Sequence, residues 1–341
     1  SIVSRNTSGG SGGGICSGGI LTLTHVLVSG NSATTYGGGI AGSYRMTLDH
    51  SIVRDNKAGA GGGISTGCCD GTLAVYDSEI SANTADNGGA IFNVGVNLFL
   101  DNSTISENWA AWAGGGINNS YYGHLTMNNS TVSGNTAAGY CGGGIWNNYD
   151  STVTLRNTNV AGNTAPEGPD CNGTIGTLGY NLVGDTSGCT FTPGTGDLTN
   201  VNPRLGELIG APETPRYRPL LAGSPAIDAG DPAGCLGSAG PLNTDQRGAA
   251  RVGRCDIGAY EYTTPGPAAS IYAFGGTPQH TPPLSALGKP LQAAVLDSIG
   301  SPLNGASVTF SAPASGPSGT FADTGTNTTT AVTNESGVAT T

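Results

Sequence analysis

The chain has 341 residues, 59 of them glycine, and 12 basic side chains against 23 acidic ones, for a net charge of −11. Such a surface repels phosphate backbones and anionic lipid, which argues against nucleic acid as a partner. No apolar run reaches the length that spans a bilayer, so membrane insertion of this segment is not expected. Eight cysteines in a low-charge, Gly- and Thr-rich chain point to an oxidising compartment, extracellular or at a cell surface.

The chain opens inside a repeat, at Ser1-Ile2-Val3, and is read as a fragment or mature product of something longer. Seven asparagines, Asn6, Asn31, Asn56, Asn83, Asn108, Asn135 and Asn163, recur at intervals of 25, 25, 27, 25, 27 and 28 residues. A period in that range marks a stacked-repeat architecture. Three positions before each stands Val3, Val28, Val53, Ile80, Ile105, Val132 or Val160. Alternating apolar pairs precede these: Leu21/Leu23, Met46/Leu48, Leu73/Val75, Leu98/Leu100, Leu125/Met127 and Val153/Leu155. That alternation is the strand period with one side buried. Downstream come Ala33, Ala58, Ala85, Ala110, Ala137 and Ala165, then glycine runs closed by isoleucine at 12–15, 37–40, 61–64, 88–91, 114–117 and 142–145. No copy holds a segment with helical spacing, and its glycines would weaken one. One copy cannot bury its apolar face alone, whereas stacked copies share a core. The spacing therefore predicts an all-β fold, a parallel β-helix over residues 1–165, with six steps of about 4.8 Å and a length of about 29 Å.

A corner asparagine can both donate and accept, so seven in register predict a hydrogen-bonded ladder. The slot six positions earlier holds His25, His50, Asp77, Asn102, Asn129 and Asn157. His25 and His50 invite a metal reading, but no third ligand of matching register follows them in sequence. A second polar corner column is expected, with no metal and no cofactor. Trp109, Trp112, Tyr121, Tyr122, Tyr140, Trp146 and Tyr149 fall within three neighbouring coils. Two readings stand for them: a sugar-stacking surface, and cover for the rod's flank.

From about Pro166 the register is lost, and residues 166–262 are expected to form the last irregular coils and a cap over the open end. Cys171 with Cys189, and Cys235 with Cys255, flank short Gly-rich stretches and are expected as local disulfides. Cys16, Cys68, Cys69 and Cys141 lie in or beside glycine turns with several pairings open, a vicinal Cys68–Cys69 bond among them. Asp245, Arg247, Asp256 and Glu261 are read as a buried salt-bridge lock of the cap. The Ser-x-Val-x-x-Asn-Thr-Ala repeats, the phrases Gly-Ser-Pro-Ala-Ile-Asp-Ala-Gly (223–230) and Asp-Gln-Arg-Gly (245–248), and Asp-Ile-Gly-Ala-Tyr-Glu (256–261) resemble bacterial right-handed parallel β-helix surface proteins with a choice-of-anchor Q region. That resemblance implies an exported protein associated with the cell surface, without known chemistry.

A Pro-rich linker at 263–267 leads into residues 268–341, where short strand-like runs and regular turn signals predict a β-sandwich. The wording at 290–293, 297–303, 308–310 and 337–340 resembles bacterial Ig-like domains of invasin- and intimin-type adhesins. The family's further closing hairpin lies beyond Thr341, so each end is expected to be completed by more of the chain or by a neighbouring copy. The rival to an adhesive role is a polysaccharide lyase or hydrolase, since parallel β-helices carry such enzymes. Glycosidic chemistry needs two carboxylates held over a groove, and a lyase needs a calcium-binding acid cluster. In the coils, Asp49, Asp55, Asp70, Asp77, Glu79, Asp86, Asp101, Glu107 and Asp150 are scattered singly. The expectation is a non-catalytic structural or adhesive rod whose partners are further domains, copies of itself or surface polysaccharide.

Overall fold

A computed structural model describes residues 1–67, 71–282, 284–315 and 318–341. Cys68, Cys69 and Asp70 lie outside the described residues. The chain forms a parallel β-solenoid of about seven turns. Each regular coil supplies three strands, and each strand stacks on its equivalent one coil away.

The valine sheet runs Ile2–Ser4, Leu27–Ser29, Ile52–Arg54, Glu79–Ser81, Thr104–Ser106 and Thr131–Ser133, with Val3, Val28, Val53, Ile80, Ile105 and Val132 paired in one row. The isoleucine sheet runs Ile15–Ser17, Ile40–Gly42, Ile64–Thr66, Ile91–Val94, Ile117–Ser120 and Ile145–Asn147. The alternating sheet runs Ile20–Thr24, Arg45–Asp49, Thr72–Tyr76, Asn97–Asp101, His124–Asn128 and Thr152–Arg156. All three point their apolar rows inward to one continuous core. At roughly 25 cal/mol per Å² of buried apolar surface, that shared core is what stacking supplies and a lone coil lacks.

Left-handed backbone makes the corners. One corner is the column His25, His50, Asp77, Asn102, Asn129 and Asn157, with φ between 45° and 53°. Another is Arg5, Gly30, Asp55, Ala82, Glu107, Gly134 and Gly162, one residue before each ladder asparagine. The third needs glycine: at Gly37 (φ 63°) a Cβ would sit 2.2 Å from the Ile40 carbonyl oxygen.

Past the loss of repeat register the solenoid continues. Asn159–Val160, Leu182–Val183 and Leu198–Thr199 extend the valine sheet to nine strands, although the steps from Val160 to Val183 and then to Thr199 shorten to 23 and 16 residues. Cys171–Thr177 pairs with the last strands of the other two sheets. Both expected disulfides are present, Cys171–Cys189 and Cys235–Cys255, with Cα separations of 5.5 and 6.2 Å. Residues 200–262 then turn back along the rod and lie over the outer face of the valine sheet, with Leu182, Ile209, Tyr217, Leu220, Ala226, Ile257 and Tyr260 in a second core. The segment expected over the open end thus covers a flank. The reason is in the valine sheet, whose outward side carries Ile52, Thr104, Thr131 and Leu182, all buried, and would otherwise expose its central strands.

The C-terminal residues hold two antiparallel sheets. Ser270–Gly275, Gln292–Leu296 and Val338–Thr340 form one, and Ser307–Ser311 with Thr328–Val332 the other. One of the short strand-like runs of the sequence, 319–321, is not a strand but leads into a turn in which Phe321 exchanges backbone bonds with Thr326 and Gly325. Gly325 (φ 66°) and the polar residues around it close that turn locally. Ala294, Leu296 and Val338 join the core of the cover.

Candidate functional site

The ladder asparagines bond in one unbroken row. Each side-chain oxygen accepts both the backbone and the amide N–H of the asparagine one coil earlier, at 2.8–3.1 Å, from Asn6–Asn31 through Asn135–Asn163. Asp170 ends the row, taking the backbone and amide N–H of Asn163 on Oδ1. Burial pushes the Asp170 carboxyl up to about 6. Two further ladders were not read from the sequence. Ser51, Ser78, Ser103 and Ser130 each accept the N–H of the equivalent residue one coil earlier. Thr66, Asn93, Asn119 and Asn147 bond hydroxyl to amide to amide. Their signal was the same register, diluted because Ser and Asn also populate ordinary turns.

Two aromatic groups stand on the flank beside the isoleucine sheet. Trp112 packs on Tyr140 with ring centres 5.4 Å apart, and Trp146 meets Tyr140 edge-on at 6.3 Å. Tyr121 stacks on Tyr149 at 4.7 Å. Trp109, Trp112, Tyr121, Tyr122, Tyr140 and Tyr149 are exposed, while Trp146 is half-buried. Tyr121, Tyr122 and Tyr149 have φ of 51°, 65° and 47°, a conformation that bulky residues rarely adopt and that costs on the order of 1–3 kcal/mol each. Of these rings Tyr121 reaches a groove of about 660 Å³, lined also by Tyr36, Phe92, Cys16 and Thr66. Tyr36 and Phe92 stack at 6.4 Å. The sequence did contain a signal for Phe92, which occupies the outward slot after the core isoleucine, the slot of Trp146 two coils on.

The acids of the coils are not all scattered. Asp49, His50 and Asp77 bring one ligand atom each within 4.8 Å of one another, and His25 stacks on His50 at 5.1 Å. Asp49 ends the strand Arg45–Asp49 and so stands outside the corner column itself. Burial, opposed by His50 and by an Asn102 hydrogen bond, pushes Asp77 up to about 6. His25 and His50 border a cleft of about 700 Å³ that Ala211, Tyr217 and Leu296 also line. Glu79, fully buried, is held by Arg216: Nε and Nη2 donate to Oε1 at 2.9 and 2.7 Å, and the Arg216 N–H to Oε2 at 2.7 Å.

The expected lock divides into two ion pairs. Arg247 meets Asp245 at 2.7 Å and lies over the Tyr260 ring at 3.8 Å. Arg251 meets Glu261 at 3.2 Å. Asp256 does not share Arg247: its two oxygens accept the backbone N–H groups of Asp228 and Tyr262. Burial, with the Glu261 charge adding, pushes it up to about 7. A carboxyl held by amides this deep gains little from a guanidinium already taken by Asp245.

No family model, no curated protein and no solved structure matches the chain.

Proposed function

We propose that the chain is an extracellular adhesive rod, part of a larger cell-surface or matrix fibre, that holds polysaccharide on the aromatic flank of its isoleucine sheet. On this reading the closing motifs are those of β-helix surface proteins with an anchor region, and the C-terminal antiparallel sheets are an Ig-like spacer. One observation carries it: Tyr121, Tyr122 and Tyr149 keep a strained backbone while their rings face solvent, and Tyr121 lines a groove. Strain held at an exposed aromatic gains nothing in the core, so it is accounted for by what the rings contact. Paired rings 4.7–5.4 Å apart offer apolar faces of the size of a sugar ring, and the acidic surface favours neutral glycans over anionic ones.

The test is titration with soluble neutral glucans, xylans and mannans, read by tryptophan fluorescence. At least one should bind saturably, and Tyr121→Ala with Tyr149→Ala should weaken it at least tenfold. Absence of binding across the panel, or binding untouched by the double variant, sinks the adhesive reading. Release of new sugar ends would move the protein to the degrading enzymes.

A further inference from the structure

We propose that Asp49, His50 and Asp77, with His25 turned in as fourth ligand, form a binding site for a transition-metal dication of the zinc class. The first ground is placement. Three donor atoms of the right chemistry already lie within 4.8 Å of one another, wider than the edge of a tetrahedral zinc shell by an amount that small side-chain rotations close. Rung hydrogen bonds fix the backbone beneath them: His25 N–H to the Asp49 carbonyl (3.0 Å), His50 N–H to that of Tyr76 (3.1 Å), and Asp77 N–H to that of Asp101 (3.2 Å). The ligands are therefore spaced by the solenoid before any ion arrives.

The second ground is what the same corner column does elsewhere. In the next three coils it is Asn102, Asn129 and Asn157, and each amide is engaged by the flank cover: Asn102 donates to Thr244 O (2.8 Å), Asn129 to Leu236 O (3.0 Å), and Asn157 accepts from Asp231 N–H (2.9 Å). All six residues share the left-handed backbone, which asparagine satisfies. In the earlier coils the column holds His, His and Asp instead, and the two histidines border the cleft that Ala211 and Tyr217 of the cover also line. The turn needs no such change, so the imidazole and carboxylate side chains gathered at this corner are accounted for by a ligand held there. Two imidazoles with two carboxylates select zinc, nickel or copper over calcium, which takes oxygen ligands in greater number. The simpler arrangement is an ion pair of His50 Nδ1 with Asp49 at 2.7 Å, side chains 44% and 38% exposed, with Asp77 left to an Asn102 hydrogen bond and His25 to stacking on His50; a single ion would join all four side chains. The inference does not rest on the adhesive reading.

Calorimetric titration of the metal-free protein with zinc tests it, with calcium as comparison. The structure requires one zinc per chain, weakened at least tenfold by His50→Asn or Asp77→Asn and unchanged by His124→Asn. Asparagine is the residue this slot carries in the neighbouring coils, so both variants keep the turn, which an unchanged metal-free melting temperature checks. Absence of saturable zinc binding, or full affinity retained by the His50→Asn/Asp77→Asn double variant, overturns the site. Calcium taken up in preference to zinc overturns the class of metal.

Discussion

Asn108 shows what a ladder position does. Its amide nitrogen donates to Asn135 Oδ1, Ile80 O and Ser106 O, and its oxygen takes both N–H groups from Asn83. Leucine at that position matches the volume but leaves carbonyls and two donors of Asn83 buried without partners, at about 1–3 kcal/mol for each group left unpaired. Asn108→Leu should therefore lower the denaturant midpoint clearly, with the slope unchanged. An unshifted midpoint would mean that water reaches the corner and the row is dispensable. This column was legible because asparagine recurs seven times without substitution. The Ser51–Ser130 row was not, because serine is equally at home in any exposed turn, and only its burial tells the two apart.

The coils and the segment laid over them differ in how much the sequence discloses. Strand order, facing and corners follow from a period that each copy restates. Where residues 200–262 go does not, since nothing in them repeats and their partners in the coils lie as far as 158 positions away. Glu79 illustrates the gap: in sequence it is one of the acids scattered singly through the coils, yet it is the buried anchor for Arg216. Its position is occupied by Leu27, Ile52 and Thr104 in nearby coils, so a lone charge in an otherwise apolar or neutral column was the available sign. Removing one partner leaves the other charge buried and uncompensated, at about 3–5 kcal/mol. Arg216→Ala should loosen the cover before the coils, exposing residues 200–262 to limited proteolysis while the parallel sheets persist by far-UV dichroism. If Glu79→Leu is added, the isolated charge is gone and much of the protection should return. Equal cleavage in single and double variants would show that the pair does not hold the cover.

Acid should favour the folded chain, against the usual behaviour of proteins whose carboxylates are stabilised by folding. Asp170 ends the ladder and Asp256 sits among backbone amides, and burial raises them from 3.8 to about 6 and about 7. A raised carboxyl binds its proton more tightly in the fold than in the unfolded chain. Its contribution is fully present below about pH 4, where both states are protonated, and is lost as pH rises through the folded value. The affected window is therefore pH 4 to 7, with Asp170 losing its share first and Asp256 later. A tenfold gain in proton affinity on folding corresponds to about 1.4 kcal/mol, so the summed loss is on the order of several kcal/mol. The thermal midpoint should fall by several degrees from pH 5 to pH 8, in low-phosphate buffer with chelator so that metal at the His50 corner adds nothing. A midpoint that rises over that interval would mean both carboxylates are ionised at little cost, their charge met by the amides around them. Such a result would leave the ladder terminus a charged cap instead of a neutral one.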